Sequence, residues 1–143
     1  MMTVLPDVTM PLKIVICTKY RLFREGLKAL FPEGDAIAVV GEAVTSKEVL
    51  ALLKDTNPDV VLMDPVALDP GGAKVIHLIT TGYPHVKVLL VSMSADSALI
   101  LQWMRAGASG YIDSCDKPAQ LKATINSLCE ASANKAQNAG LPQ

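Results

Sequence analysis

The chain has 143 residues, half of them hydrophobic but only 4% aromatic, and a formal net charge of −1. That length suits one domain with a largely aliphatic core, large enough to fold without cross-links. The near-zero charge excludes a general attraction to phosphate backbones, so this chain by itself is not expected to bind DNA. Cys17, Cys115 and Cys129 have neither CxxC spacing nor a histidine-rich partner motif. They read as reduced, cytoplasmic thiols rather than a disulfide framework or a zinc site.

Residues 1–12 contain Pro6, Asp7 and Pro11 and lack a basic segment followed by an apolar run, so they read as an N-terminal extension and not a secretory signal. Apolar runs elsewhere are strand-sized, far below the ~20 residues of a membrane helix, and no membrane association is expected.

From there strand and helix signals alternate five times. Ile14 to Cys17 is a buried strand. Phe23, Leu27, Leu30 and Phe31 then recur on one helical face, which Pro32-Glu33-Gly34 stops. Ile37 to Val40 is a short second strand, and Thr45 with Glu48 forms a capping box before Val49, Leu50, Leu52 and Leu53. Val60 to Met63 is a continuous apolar run, as in parallel strands covered on both faces, and it ends at Asp64. Val75, Ile76 and Ile79 mark a third helix, and Val86 to Val91 a fourth strand. A helix from about Ala95 to Ala106 stops at Gly107, a good residue for the position after a helix end. Tyr111 and Ile112 lie in a fifth strand, and Pro118 opens a last helix carrying Leu121, Ile125 and Leu128. Residues 131–143 turn polar and rich in Ala, Asn and Gln, and read as a linker or disordered tail. Strict alternation implies the α/β class, with a parallel sheet, right-handed crossovers and helices on both faces.

Lys13-Ile14-Val15-Ile16-Cys17, Arg24-Glu25-Gly26-Leu27, Pro58-Asp59-Val60-Val61-Leu62-Met63-Asp64 and Gly107-Ala108-Ser109-Gly110-Tyr111 together resemble the receiver domain of bacterial two-component response regulators, closest to the NarL/FixJ (LuxR-type) branch. The resemblance covers residues 13–130. It implies a flavodoxin-like (βα)5 fold with strand order 2-1-3-4-5, which gathers chemistry at the carboxyl ends of the strands. It places Asp64 on the phosphoacceptor position, Ser92 and Tyr111 on the two switch positions, and Thr18 and Lys19 where two acidic residues help hold Mg2+. Ser114 stands where the family has a lysine, and Leu68 where proline is common in the loop after Asp64.

Mg2+ prefers oxygen ligands, mainly carboxylate and water, so losing the acidic pair leaves one anionic ligand and adds a repelling ammonium. No cofactor is expected, and Mg2+ binding is expected to be weak or absent. Asp64 then admits two readings: a residual, partly solvated acid, or the partner of Lys19. Two unit charges ~4 Å apart are worth on the order of 4 kcal/mol at an effective dielectric near 20, before desolvation. Lys19 has no paired base, nucleophile elbow or glycine-rich phosphate loop beside it, and the chain is not expected to be an enzyme. His77 and His85 lack metal-ligand spacing and read as surface residues. A Cys17–Cys115 disulfide is opposed by the two strands that the family's order puts between them.

Leu99, Ile100, Leu101, Trp103 and Met104 sweep ~200° of the fourth helix, about twice the stripe that a sheet covers. Leu99, Ile100 and Trp103 are therefore interface candidates, Trp103 also because Trp is favoured at hot spots, and Tyr111 joins them because the resemblance places it with this helix on the surface that rearranges on activation. The alternative tucks Trp103 against a neighbouring helix. The expected role is an atypical receiver acting in signalling or transcription regulation through protein contacts. Its expected partners are a homodimer mate and a histidine kinase, with DNA reached only through an output domain. Two rivals stand beside it: a conventional phosphorylation-controlled receiver using Asp64, and a small flavodoxin-like enzyme or cofactor binder.

Overall fold

The computed structural model describes residues 10–65, 71–92, 97–113 and 118–139. Five strands and five helices alternate: β1 (Leu12–Cys17), α1 (Arg21–Ala29), β2 (Ile37–Ala43), α2 (Ser46–Thr56), β3 (Val60–Met63), α3 (Gly72–Gly82), β4 (Lys87–Ser92), α4 (Ser97–Ala106), β5 (Gly110–Asp113) and α5 (Pro118–Ala139). Every strand pair is parallel and the order is β2-β1-β3-β4-β5. This is the flavodoxin-like receiver topology that the resemblance implied.

The alternation of side chains along each strand splits the core in two. Val15, Cys17, Val61, Met63, Val88 and Leu90 face α2, α3 and α4. Ile14, Ile16, Val60, Leu62, Leu89 and Val91 face α1 and α5, where Phe23, Leu27, Phe31, Leu121 and Ile125 cover them. A strand buried on both faces has no use for polar positions, which is why β3 reads as an unbroken apolar run.

Local signals account for the helix ends. Thr45 Oγ1 accepts the Glu48 N–H at 3.4 Å while the Glu48 carboxylate accepts the Val44 N–H at 3.0 Å, so the two side chains cap the start of α2. α4 closes on Gly107, at φ +126°, with Gly107 N–H bonded to Met104 C=O and Ala108 N–H to Trp103 C=O. That bonding pattern satisfies the last carbonyls and needs a residue tolerant of positive φ.

Two elements and one side chain depart from the sequence expectation. β2 runs three residues past Val40, because a register shift between Ile14 and Val15 lets its pairing with β1 continue to Ala43. α5 continues through residues 131–139, assigned above to a linker or tail; the Ala, Lys and Gln of that stretch are strong helix formers. Trp103 must be corrected as an interface residue. It is 3% exposed, in the core between α3 and α4, where Gly72 leaves room for the indole. Leu99, Ile100 and Met104 pack half-buried against the same cluster, and Leu101 is the half-exposed apolar side chain of α4. The surplus apolar arc is thus narrower than the periodicity suggests.

Candidate functional site

The sheet order puts β1 between β2 and β3, so the chain leaves β1 in one direction and returns on its other side. Crevices in open α/β sheets form at this reversal, beyond the carboxyl ends of the strands. Cys17 pairs with Met63 in register, and the Asp64 N–H donates to the Cys17 carbonyl at 3.1 Å. Thr18 and Asp64 therefore leave their strands side by side. Ser92 ends β4, the next strand over. Thr18, Asp64 and Ser92 are all buried, the carboxylate at 5% exposure.

Thr18 is held at every polar atom. Its N–H donates to Ala43 C=O at 3.1 Å, and its carbonyl accepts Arg24 Nη1 at 2.9 Å. Its hydroxyl oxygen accepts the Tyr20 N–H at 3.2 Å, the local turn that a hydroxyl side chain makes with a backbone two residues on. A hydroxyl has one proton to give. That proton goes to Asp64 Oδ2, at 3.2 Å.

Lys19 does not join them. It is exposed, with its ammonium 5.5 Å from the centroid of the Tyr20 ring, and among the described residues no ion pair links it to Asp64. Of the two readings of Asp64, the one that pairs it with Lys19 is thus corrected. An ammonium keeps its hydration and a cation–π contact at the surface, whereas pairing with a buried carboxylate would desolvate it.

Arg24 is the residue that sequence reasoning missed. It was read as part of a motif, but its guanidinium joins the Thr18 carbonyl to Glu42, with Nε 3.1 Å from Glu42 Oε1. Lys28 holds the other Glu42 oxygen at 2.9 Å and Glu25 at 3.3 Å. These two glutamates hold the Lys28 ammonium's pKa above its ordinary value, Glu42 the more strongly. Position 24, flanking the buried Phe23 and Leu27, is the only sequence sign of this contact.

The Tyr111 ring packs against the cluster on the α3–α4 side, and its hydroxyl is buried. Ser114 and Cys115, and Val66 to Leu68 after Asp64, lie outside the described residues. His77 and His85 are exposed, and His85 Nε2 lies 3.0 Å from Asn57 Oδ1. An open groove lined by Leu50, Ala51, Lys54, Asp55, Leu78 and Tyr83 lies at the carboxyl ends of α2 and α3, on the edge of the sheet opposite Asp64.

A divalent cation of the kind receivers use fits these residues poorly. Asp64 is the one carboxylate that the described segments bring to the β1–β3 reversal, and one of its oxygens already takes the Thr18 proton. No group of three His, Cys, Asp or Glu among the described residues is arranged to hold a metal. Asp113 ends β5, two strands from β3, and Glu42 is committed to Arg24 and Lys28.

The chain belongs to the response regulator receiver domain family, whose model matches residues 14–126. Among curated relatives it is 38% identical over 104 residues to the transcriptional regulatory protein LnrK of Bacillus subtilis, covering 71% of this chain and 46% of that protein. It is 32% identical over 113 residues to the uncharacterized transcriptional regulatory protein YhcZ of the same organism, covering 79% and 53%. The chain thus spans about half the length of the curated relatives it matches. A LuxR-family two-component response regulator from an Aurantimonas species superposes with a TM-score of 0.73 at 32% identity, covering 89% of this chain and 94% of that one. The signal receiver domain of the putative response regulator NarL from Mycobacterium tuberculosis gives 0.71 at 29% identity, covering 83% and 97%. These relatives are response regulators of the NarL/LuxR family. Among the described residues no helix is long and apolar enough to cross a membrane.

Proposed function

We propose that this receiver acts mainly through protein contacts, by dimerisation or by docking a partner, with Mg2+-dependent phosphorylation of Asp64 weak or absent. The observation that carries this reading is the Thr18 hydroxyl bond to Asp64, made by a neutral side chain at a position where the family has an acid. Phosphoryl transfer depends on positioning and charge compensation. Among the described residues the carboxylate has a hydrogen-bond donor beside it but no second carboxylate to recruit a hard dication. The inward packing of Tyr111 agrees with a domain whose state is set without phosphate. In this reading transcriptional output belongs to a DNA-binding domain in the longer protein, and a histidine kinase is a docking partner rather than an efficient donor.

The retained Asp64 and Ser92, both buried at the rim, support the conventional alternative. Incubation with a small phosphodonor and Mg2+ followed by intact-mass measurement separates the two. The proposal expects little or no adduct; a stoichiometric phosphoryl adduct that disappears in Asp64→Asn would establish the alternative.

A further inference from the structure

The receiver's β1–α1 turn has to be held over its acceptor carboxylate by something. In a metal-loaded site a dication bridging turn and carboxylate does that, but the residues here do not suit one. What they form is a continuous chain of hydrogen bonds from the surface to the acceptor. Lys28 and Arg24 grip the two oxygens of Glu42, Arg24 reaches on to the Thr18 carbonyl, and the Thr18 hydroxyl reaches Asp64.

We infer that Arg24, anchored by Glu42, is a positioning residue that sets the Thr18 hydroxyl on Asp64 and keeps the β1–α1 turn closed with no divalent cation. The geometry makes the role specific. The Arg24 side chain is 14% exposed and comes from the second turn's start of α1, so its reach to Thr18 folds the helix back onto the turn that precedes it. A guanidinium is a rigid fork whose separate N–H groups serve two acceptors at once, here a carboxylate on β2 and a main-chain carbonyl after β1. Thr18 cannot rotate without breaking a bond at its hydroxyl, because that oxygen simultaneously accepts from Tyr20. Arg24 fixes the backbone from which that hydroxyl projects, so releasing the carbonyl lets the residue shift and strains both hydroxyl bonds. The inference rests on Asp64 occupying the acceptor position, and not on whether Asp64 is ever phosphorylated.

Amide hydrogen exchange on the full chain, read by NMR, tests it. The probe is the Tyr20 N–H, whose acceptor is the Thr18 hydroxyl; Val61 and Leu90 in the core report global stability. Relative to those core amides, Tyr20 protection should fall roughly tenfold or more in Thr18→Val and in Arg24→Met, the signature of a local opening. Thr18→Val with Arg24→Met should lose no more than Thr18→Val alone, since both act through one contact. Arg24→Lys, which can still donate to the carbonyl, should recover part of the protection. Added Mg2+ should leave the wild-type Tyr20 amide unchanged. Should Arg24→Met unfold the chain, Glu42→Gln, which only weakens the anchor, must show the same selective loss in smaller measure. The inference is overturned if the Arg24 variant leaves Tyr20 protected, if it lowers every amide in parallel, or if Mg2+ tightens the wild-type turn. The intact-mass experiment decides phosphorylation separately, so the two readings can fail independently.

Discussion

Trp103 lies across Gly72 so closely that a β-carbon on the glycine would stand 2.1 Å from the indole Cζ2. The contact locks the start of α3 under α4, and a second close approach, Gly107 against Thr80, locks the other end. Gly72→Ala must push either the indole or the helix aside. Overpacking of this kind costs about 1–3 kcal/mol. The helix propensity regained by replacing glycine offsets about 1 kcal/mol of that at most. Urea denaturation should show a net loss of stability, and Trp103 fluorescence should shift as the indole moves. An unchanged midpoint and spectrum would mean that α4 is not seated this way.

On the proposed reading of the rim, Thr18→Asp, Lys19→Asp and Ser114→Lys together rebuild the acidic pair and the lysine that the family resemblance places there. Positions 18 and 19 go from one positive charge to two negative ones beside Asp64, a donor set suited to a hard dication. Isothermal calorimetry should detect Mg2+ binding by the triple variant and little or none by the parent. A folded triple variant that ignores Mg2+ would show that Thr18 and Lys19 do not stand where the acidic pair stands.

Asp35 joins the segment before β2 to α5. Its carboxylate accepts Lys122 Nζ at 2.8 Å and the Ile37 N–H at 3.1 Å. The Lys122 bond is the main cause, and the Ile37 amide the next, of a carboxyl pKa held below its ordinary value. A group depressed by folding stabilises above its unfolded pKa, and that contribution fades as pH falls through the lower folded value. Lys122→Met should therefore destabilise the protein at neutral pH, with the difference from wild type shrinking through the acid range. A difference independent of pH would assign the effect to the lost cation–π contact of Lys122 with the Phe31 ring instead.

Leu101 is half-exposed on α4 while Trp103 beside it is buried. If partners or a second copy dock on this helix, the expectation its apolar arc raised in the sequence, Leu101→Glu should weaken self-association or partner binding in sedimentation experiments. It should leave the melting temperature nearly unchanged, as surface substitutions generally do. A lower melting temperature with unaltered association would move the contact surface elsewhere.

How much of this was legible in the sequence can be judged residue by residue. The apolar run of β3, the Thr45–Glu48 cap and the glycine after α4 are local signals with local causes, and each element they predict is present. Thr18, Asp64 and Ser92 fall on one rim because each ends a strand of the same parallel sheet. The fate of Lys19 was not legible. Proximity in sequence put a cation next to the acceptor strand, but which side chain turns inward depends on the cost of burying each. The neutral Thr18 goes in and the ammonium stays hydrated. Arg24 was hidden for a related reason, since its partners lie six positions before it and eighteen after.

Periodicity and strand-end chemistry therefore determined the class, the layers and the position of the rim, because hydrophobic spacing and caps act over a few residues. Only the assembled sheet decided that a hydroxyl rather than an ammonium meets Asp64, and that Trp103 fills the space above Gly72 instead of facing a partner. Those outcomes turn on desolvation and on space between helices, quantities that no stretch of chain possesses until its neighbours are in place.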